Sequence, residues 1–172
     1  MAEHWFHRNR GKINPFIRIV FGIIWLIDAS FKFQPGFADT LSQMITAAGQ
    51  GQPAWLLPWF NFWAATVAPD PTFWVYLVGG GELLIGLALV LGGMRKITYV
   101  VGMVLSLFIW AVPEGFGGAY GPSSTDIGTG IIYAMTFLAL MAINADYGPS
   151  KFSVDKWLEK RFKWWKKLAE FN

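Results

Sequence analysis

Four apolar runs, at 14–34, 73–93, 96–113 and 126–144, each come close to the length an α-helix needs to cross a bilayer. In lipid every backbone N–H and C=O must be paired within its own segment, so runs of this kind are committed to helix. The predicted fold class is therefore all-α: an integral membrane four-helix bundle with an outer aromatic helical hairpin and a cytoplasmic amphipathic C-terminal helix. Composition agrees. With 54% hydrophobic and 17% aromatic residues against 15% charged, the chain is too apolar for a soluble domain of 172 residues.

The punctuation between the runs sets the expected boundaries. Asn14-Pro15 and Asp70-Pro71 each read as an N-cap followed by proline at the first helical position. Arg95 and Lys96 make a short turn, Pro113 stops the third helix, and Asp126 is the expected N-cap of the fourth. Residues 1–13 form a basic N-terminus, 14–145 a transmembrane domain, and 146–172 a membrane-surface tail. No small-residue cleavage site follows the first run, so it reads as an uncleaved helix.

Within the domain, 36–70 carries two helical patterns. Phe37, Leu41, Met44, Ile45 and Ala48 make one stripe, and Trp55, Trp59, Phe60, Phe62 and Trp63 crowd the second, as suits a hairpin resting at headgroup level. In the tail, from Lys151 to Asn172, Val154, Trp157, Leu158, Phe162, Trp165 and Leu168 oppose the lysines, the pattern of an in-plane helix on an anionic leaflet. Arg8, Arg10, Lys12 and Arg18, then Arg95 and Lys96, then the Lys and Arg of the tail fall on one side of the spans. The positive-inside rule makes that side the cytoplasm, giving a multi-pass cell-membrane protein with both termini inside.

Several chemistries are set aside. With no Cys there is no disulfide, thiolate ligand or Cys-held cluster. His4 and His7 sit in a charged juxtamembrane stretch, a weak metal pattern, and no metal site is expected. The net charge of +3 is sorted by membrane side rather than spread over a soluble face, so no nucleic-acid partner is expected.

Charges inside membrane runs are costly and mark function by default. Arg18, Asp28 and Lys32 share an arc of about 80° on the first helix. Glu82 lies with Gly79, Gly86 and Gly93 on a glycine face suited to close packing. The stretch EGFGGAYGPSSTDIGTG, 114–130, adds Glu114 and Asp126 at the outer edge, and Asp126, Gly130, Tyr133, Phe137 and Asn144 share one face of the fourth helix. The expectation is one outward-open pocket. Glu82, Asp28, Lys32 and Glu114 are its catalytic candidates, and Arg18, Trp25, Asp126 and Tyr133 its lining.

Glu82, at bilayer depth with no cationic neighbour of its own, and Asp28 would handle protons beside a quinone ring, and Lys32 would orient the acid or a substrate oxygen. Asp126 is explained as a cap, whereas Glu114 has no structural explanation, so Glu114 is the stronger candidate for chemistry and the glycines between them read as a lid. The alternative is a charge network, with Lys32 paired to Asp28 one turn away and Arg18 bound to a carbonyl or a lipid phosphate.

Three stretches resemble the DoxX/DoxD family of membrane proteins, in particular its DoxD-like branch: RIVFGIIWLIDASFKFQPGF, GGGELLIGLALVLGG and EGFGGAYGPSSTDIGTGIIYA. The resemblance spans Arg18 to about Ala145. It implies a four-helix membrane subunit of thiosulfate:quinone oxidoreductase type, working with a DoxA-like partner chain and passing electrons to membrane quinone. Other relatives accompany terminal oxidases or stress assemblies. A non-catalytic accessory subunit of a larger membrane complex is therefore the alternative function, and a small-solute carrier a third.

Overall fold

A computed structural model describes residues 2–122, 124–149 and 152–171, with the side chains at 2–4, 6, 7 and 10 left aside. His4, His7, Arg10, Lys151 and Asn172, named above, thus lie outside the described side chains. The chain is all-α: α1 (Ala2–Lys32), α2 (Phe37–Ala48), α3 (Leu57–Val67), α4 (Pro71–Leu91), α5 (Arg95–Ala111), α6 (Thr129–Tyr147), α7 (Val154–Arg161) and α8 (Lys166–Ala169). Among the described residues there is no strand. Three helical segments are long and apolar enough to cross a membrane, Gly11–Lys32, Pro71–Leu91 and Thr129–Tyr147. At 17 residues α5 extends about 25 Å.

The glycine faces set the packing. A side chain at Gly22 would lie 2.8 Å from Leu89, at Gly79 2.9 Å from Lys32, and at Gly86 2.8 Å from Leu26, so α1 and α4 press together backbone to backbone. Gly93, expected on the same face, lies beyond the end of α4 and meets nothing. The second pair, α5 and α6, closes in the same way: Gly102 receives the Phe137 ring, and Gly130 sits on the Ser106 carbonyl and Trp110. Between the pairs stands an aromatic layer. Phe21 and Trp25 of α1 meet Tyr133 and Phe137 of α6, with ring centroids 4.9 to 5.9 Å apart.

Helix ends depart from the sequence reading at three places. Asn14 caps nothing, because α1 starts at Ala2 and runs through Pro15. Proline removes one N–H and frees the carbonyl four residues back, that of Gly11, which is exposed and open to other donors. Asp126 does not cap the fourth long helix; α6 starts at Thr129, and Asp126 accepts instead from the Gly128 N–H within the loop. The tail is no single in-plane helix. It breaks at Phe162, whose backbone is extended, and folds back so that Asp155 and Ala169 are fully buried. At Asp70-Pro71 the pattern holds: Asp70 accepts from the Phe73 N–H at 2.9 Å.

Candidate functional site

At the end of the bundle away from the tail, α1, α2, α3, α4 and α5 enclose a cavity of about 150 Å³. Its walls are apolar, from Leu41 and Ile45 of α2, Trp63 and Val67 of α3, Trp74 and Val75 of α4, Phe108 of α5 and Val112 just past its end. Amphipathic stripes place them there. Ile45, Val67 and Val112 form a small buried core, against which Leu41, Trp63, Trp74 and Phe108 pack. The 36–70 segment therefore walls a cavity rather than only resting on lipid.

Three charged side chains also line this cavity: Lys32, Glu82 and Glu114. Lys32 Nζ lies 3.4 Å from Glu82 Oε2, so Glu82 does have a cationic partner, supplied by the neighbouring helix. The close approach at Gly79 makes this pair possible, since it brings the Lys32 stem onto α4. The two ends of the pair differ: the Glu82 side chain is 3% exposed and that of Lys32 22%. Lys32 also lies over the Phe37 ring, 5.5 Å from its centroid.

Glu114 has the structural explanation the sequence did not offer. Its Oε2 accepts from the Gly130 N–H at 2.9 Å and so caps α6 from 16 residues upstream. Gly128, at φ 89°, lets the carboxylate approach, because a side chain there would stand 2.7 Å from Glu114 Oε2. Burial pushes the Glu114 carboxyl above its ordinary value, and the Gly130 N–H opposes that shift. The cap role expected of Asp126 thus belongs to Glu114. The glycine loop beside Glu114 is tied down rather than loose: Gln52 donates to the Gly115 carbonyl at 2.8 Å, Trp59 to that of Ala111 at 2.8 Å, and Trp110 to that of Ile127 at 2.7 Å.

The other expected members lie elsewhere. Asp28 faces α6, where the Tyr133 hydroxyl donates to it at 3.1 Å. Lys32 does not pair with it. Trp25 and Tyr133 belong to the aromatic layer, and Asp126 is exposed. Arg18 is buried midway along α1, toward the tail side of the bundle, donating to the carbonyls of Leu89, Val90 and Phe152, as the charge-network alternative expected in part.

Two polar atoms on the cavity's lining residues stand out. Glu82 Oε2 and Trp63 Nε1 are buried and have no hydrogen-bond partner among the described residues. A buried donor left in this way costs about 1–3 kcal/mol unless a ligand engages it, whereas Glu82 Oε2 keeps the Lys32 ammonium 3.4 Å away. Trp63 was visible in the sequence only as one aromatic among many. Its place in the cavity depends on how α3 packs, which nothing local encodes.

Residues missed altogether sit on the tail side. Asp155 accepts from the N–H groups of Met94 and Arg95, from Arg95 Nε and from Trp165 Nε1, so a tail carboxylate caps α5. Arg95 also pairs with Glu159 and Glu170. Among the described residues no group of three or more His, Cys, Asp or Glu side chains is placed to hold a metal ion. No protein-family model matches this sequence, and no curated protein or solved structure matches it either.

Proposed function

We propose that the protein is a membrane subunit of a quinone-linked oxidoreductase and that the Lys32–Glu82 cavity receives the quinone ring. The observation that carries this reading is a buried donor, Trp63 Nε1, with no hydrogen-bond partner among the described residues, on one apolar cavity of about 150 Å³ that also holds the Lys32–Glu82 ion pair. A cavity of that size with apolar walls admits a benzene-sized ring. A quinone oxygen accepts from Trp63 Nε1, and the quinol hydroxyl donates to Glu82. Reduction takes two electrons and two protons per quinone. Glu82 serves as a proton relay to the ring oxygen, with Lys32 holding its orientation.

The electrons come from a partner chain. The DoxD-like resemblance makes thiosulfate the reductant, two thiosulfates giving one tetrathionate and two electrons. Lys32 is the one basic residue lining the cavity and is already paired, so dianion oxidation belongs to the DoxA-like partner rather than to this pocket. The bundle is read as four-span, with both termini cytoplasmic. In support, α5 exposes Ile97, Val100, Val101, Val104 and Leu107 in the manner of the three longer spans, and α2 with α3 forms the outer aromatic hairpin.

A second reading, an accessory subunit in which Lys32–Glu82 merely clamps α1 to α4, draws on Glu114 being used as a cap. Binding of a short-chain quinone to the detergent-purified protein separates the two. Saturable binding, weakened about tenfold or more in both Glu82→Gln and Trp63→Phe, is the expected result. Absence of binding, or binding in both variants as tight as in the parent protein, leaves the clamp.

A further inference from the structure

On the tail side a groove of about 650 Å³ opens between α1 and α6, floored by the tail. Its lining includes Gly11 and Lys12, where the α1 span begins, and Tyr147, where the α6 span ends, which puts it at headgroup level. Among the described residues five cationic side chains line it, Arg8, Lys12, Arg18, Arg95 and Lys156, and no Asp or Glu does. Arg18 and Arg95 are engaged with carbonyls and with tail carboxylates. Arg8, Lys12 and Lys156 take part in no ion pair among the described residues.

Arg8 and Lys12 lie one turn apart on the same helix, a like-charge arrangement that destabilises a helix unless an anion lies between them. Lys156 adds its ammonium from the tail. Away from the charged rim the groove continues along Leu140 and Ile143, and Leu140 lies about 10 Å along α6 from Tyr147 toward the bilayer interior. A soluble anion has no use for that apolar wall, whereas an acyl chain does.

We propose that this groove seats one anionic phospholipid, its phosphate among Arg8, Lys12 and Lys156 and the start of one acyl chain along Leu140 and Ile143. The site is distinct from the general attraction of a basic tail to a charged leaflet, because it draws its cations from α1 as well as the tail and has a shaped apolar wall. It also stands independently of what occupies the Lys32–Glu82 cavity.

The test uses the full chain, delipidated in neutral detergent and titrated with phosphatidylglycerol, with native mass spectrometry counting bound lipid. Two triple variants are compared: Arg8→Gln/Lys12→Gln/Lys156→Gln in the groove, and Lys160→Gln/Lys163→Gln/Lys167→Gln on exposed tail positions. Both remove the same charge, and circular dichroism checks that both remain folded. One tightly held lipid is expected, weakened by about tenfold or more in the groove variant and by less than about twofold in the tail variant. Equal losses in the two variants, or none in the groove variant, would overturn the proposal. Displacement of the lipid by millimolar inorganic phosphate would overturn it too, since the site would then be one for a soluble anion.

Discussion

The two ends of the bundle treat buried charge in opposite ways. On the tail side, Arg18, Arg95 and Asp155 close onto backbone groups: Arg18 on the last carbonyls of α4, Asp155 on the first N–H groups of α5. Each helix end that would otherwise leave orphan groups in apolar surroundings is satisfied by a side chain from a distant part of the chain. At the other end Lys32 and Glu82 form an ion pair on the wall of a cavity, and Trp63 Nε1 has no hydrogen-bond partner among the described residues. Buried charge on the tail side is shared among several partners, whereas Glu82 has Lys32 as its one ion-pair partner among the described residues.

Substitutions should break this contrast in a graded way. The largest effect is expected for Asp155→Ala, which takes the shared buried acceptor from Arg95 Nε, Trp165 Nε1 and two backbone donors, while Glu159 and Glu170 still hold the far side of the Arg95 guanidinium. A loss of about 3–5 kcal/mol is expected, read from chemical denaturation in detergent. Glu114→Ala, which removes the α6 cap but no buried ion pair, should cost about 1 kcal/mol by the same measurement. The double replacement Lys32→Met/Glu82→Leu substitutes apolar side chains for the ion pair on the cavity wall. It should leave stability unchanged within about 1 kcal/mol or raise it, while abolishing quinone binding. If that double variant instead unfolds, the two ends do not differ in the way described.

The smallest effect sharpens the comparison on the tail side alone. Burial, and then the adjacent Glu170, push the Glu159 carboxyl from 4.5 up to about 7. The folded state therefore holds this proton more tightly than the unfolded chain does. The contribution to the tail clasp is fully present below about 4.5 and is lost as pH rises through about 7. Amide exchange in α7, corrected for its intrinsic pH dependence, should speed up across that window, and Glu159→Gln should flatten the rise.

What the sequence made legible was local or periodic. The Asp70-Pro71 cap, the stripe from Phe37 to Ala48 and the close-packing role of Gly79 and Gly86 each follow from spacing within one element, and each is present. What it hid was long-range. Lys32 meets Glu82 across two helices, Glu114 caps a helix that starts beyond a glycine loop, and Asp155 reaches back to α5 from the tail. Asp126 misled because a local Asx turn and an N-cap look alike until the first helical residue is located. The continuation of α1 through Pro15 misled because a proline suited to the first helical position can also stand inside a helix at the cost of one backbone hydrogen bond.

The aromatic layer of Phe21, Trp25, Tyr133 and Phe137 has one more consequence. It is a dielectric septum across the molecule, with Arg18 on one side and Lys32 on the other, about 21 Å apart along α1. At that distance two unit charges influence each other by less than about 1 kcal/mol even at an effective dielectric constant near 20. The two ends are thus electrically separate compartments. A protonation or a bound anion in one leaves the potential in the other nearly unchanged, and substitutions on opposite sides should combine additively.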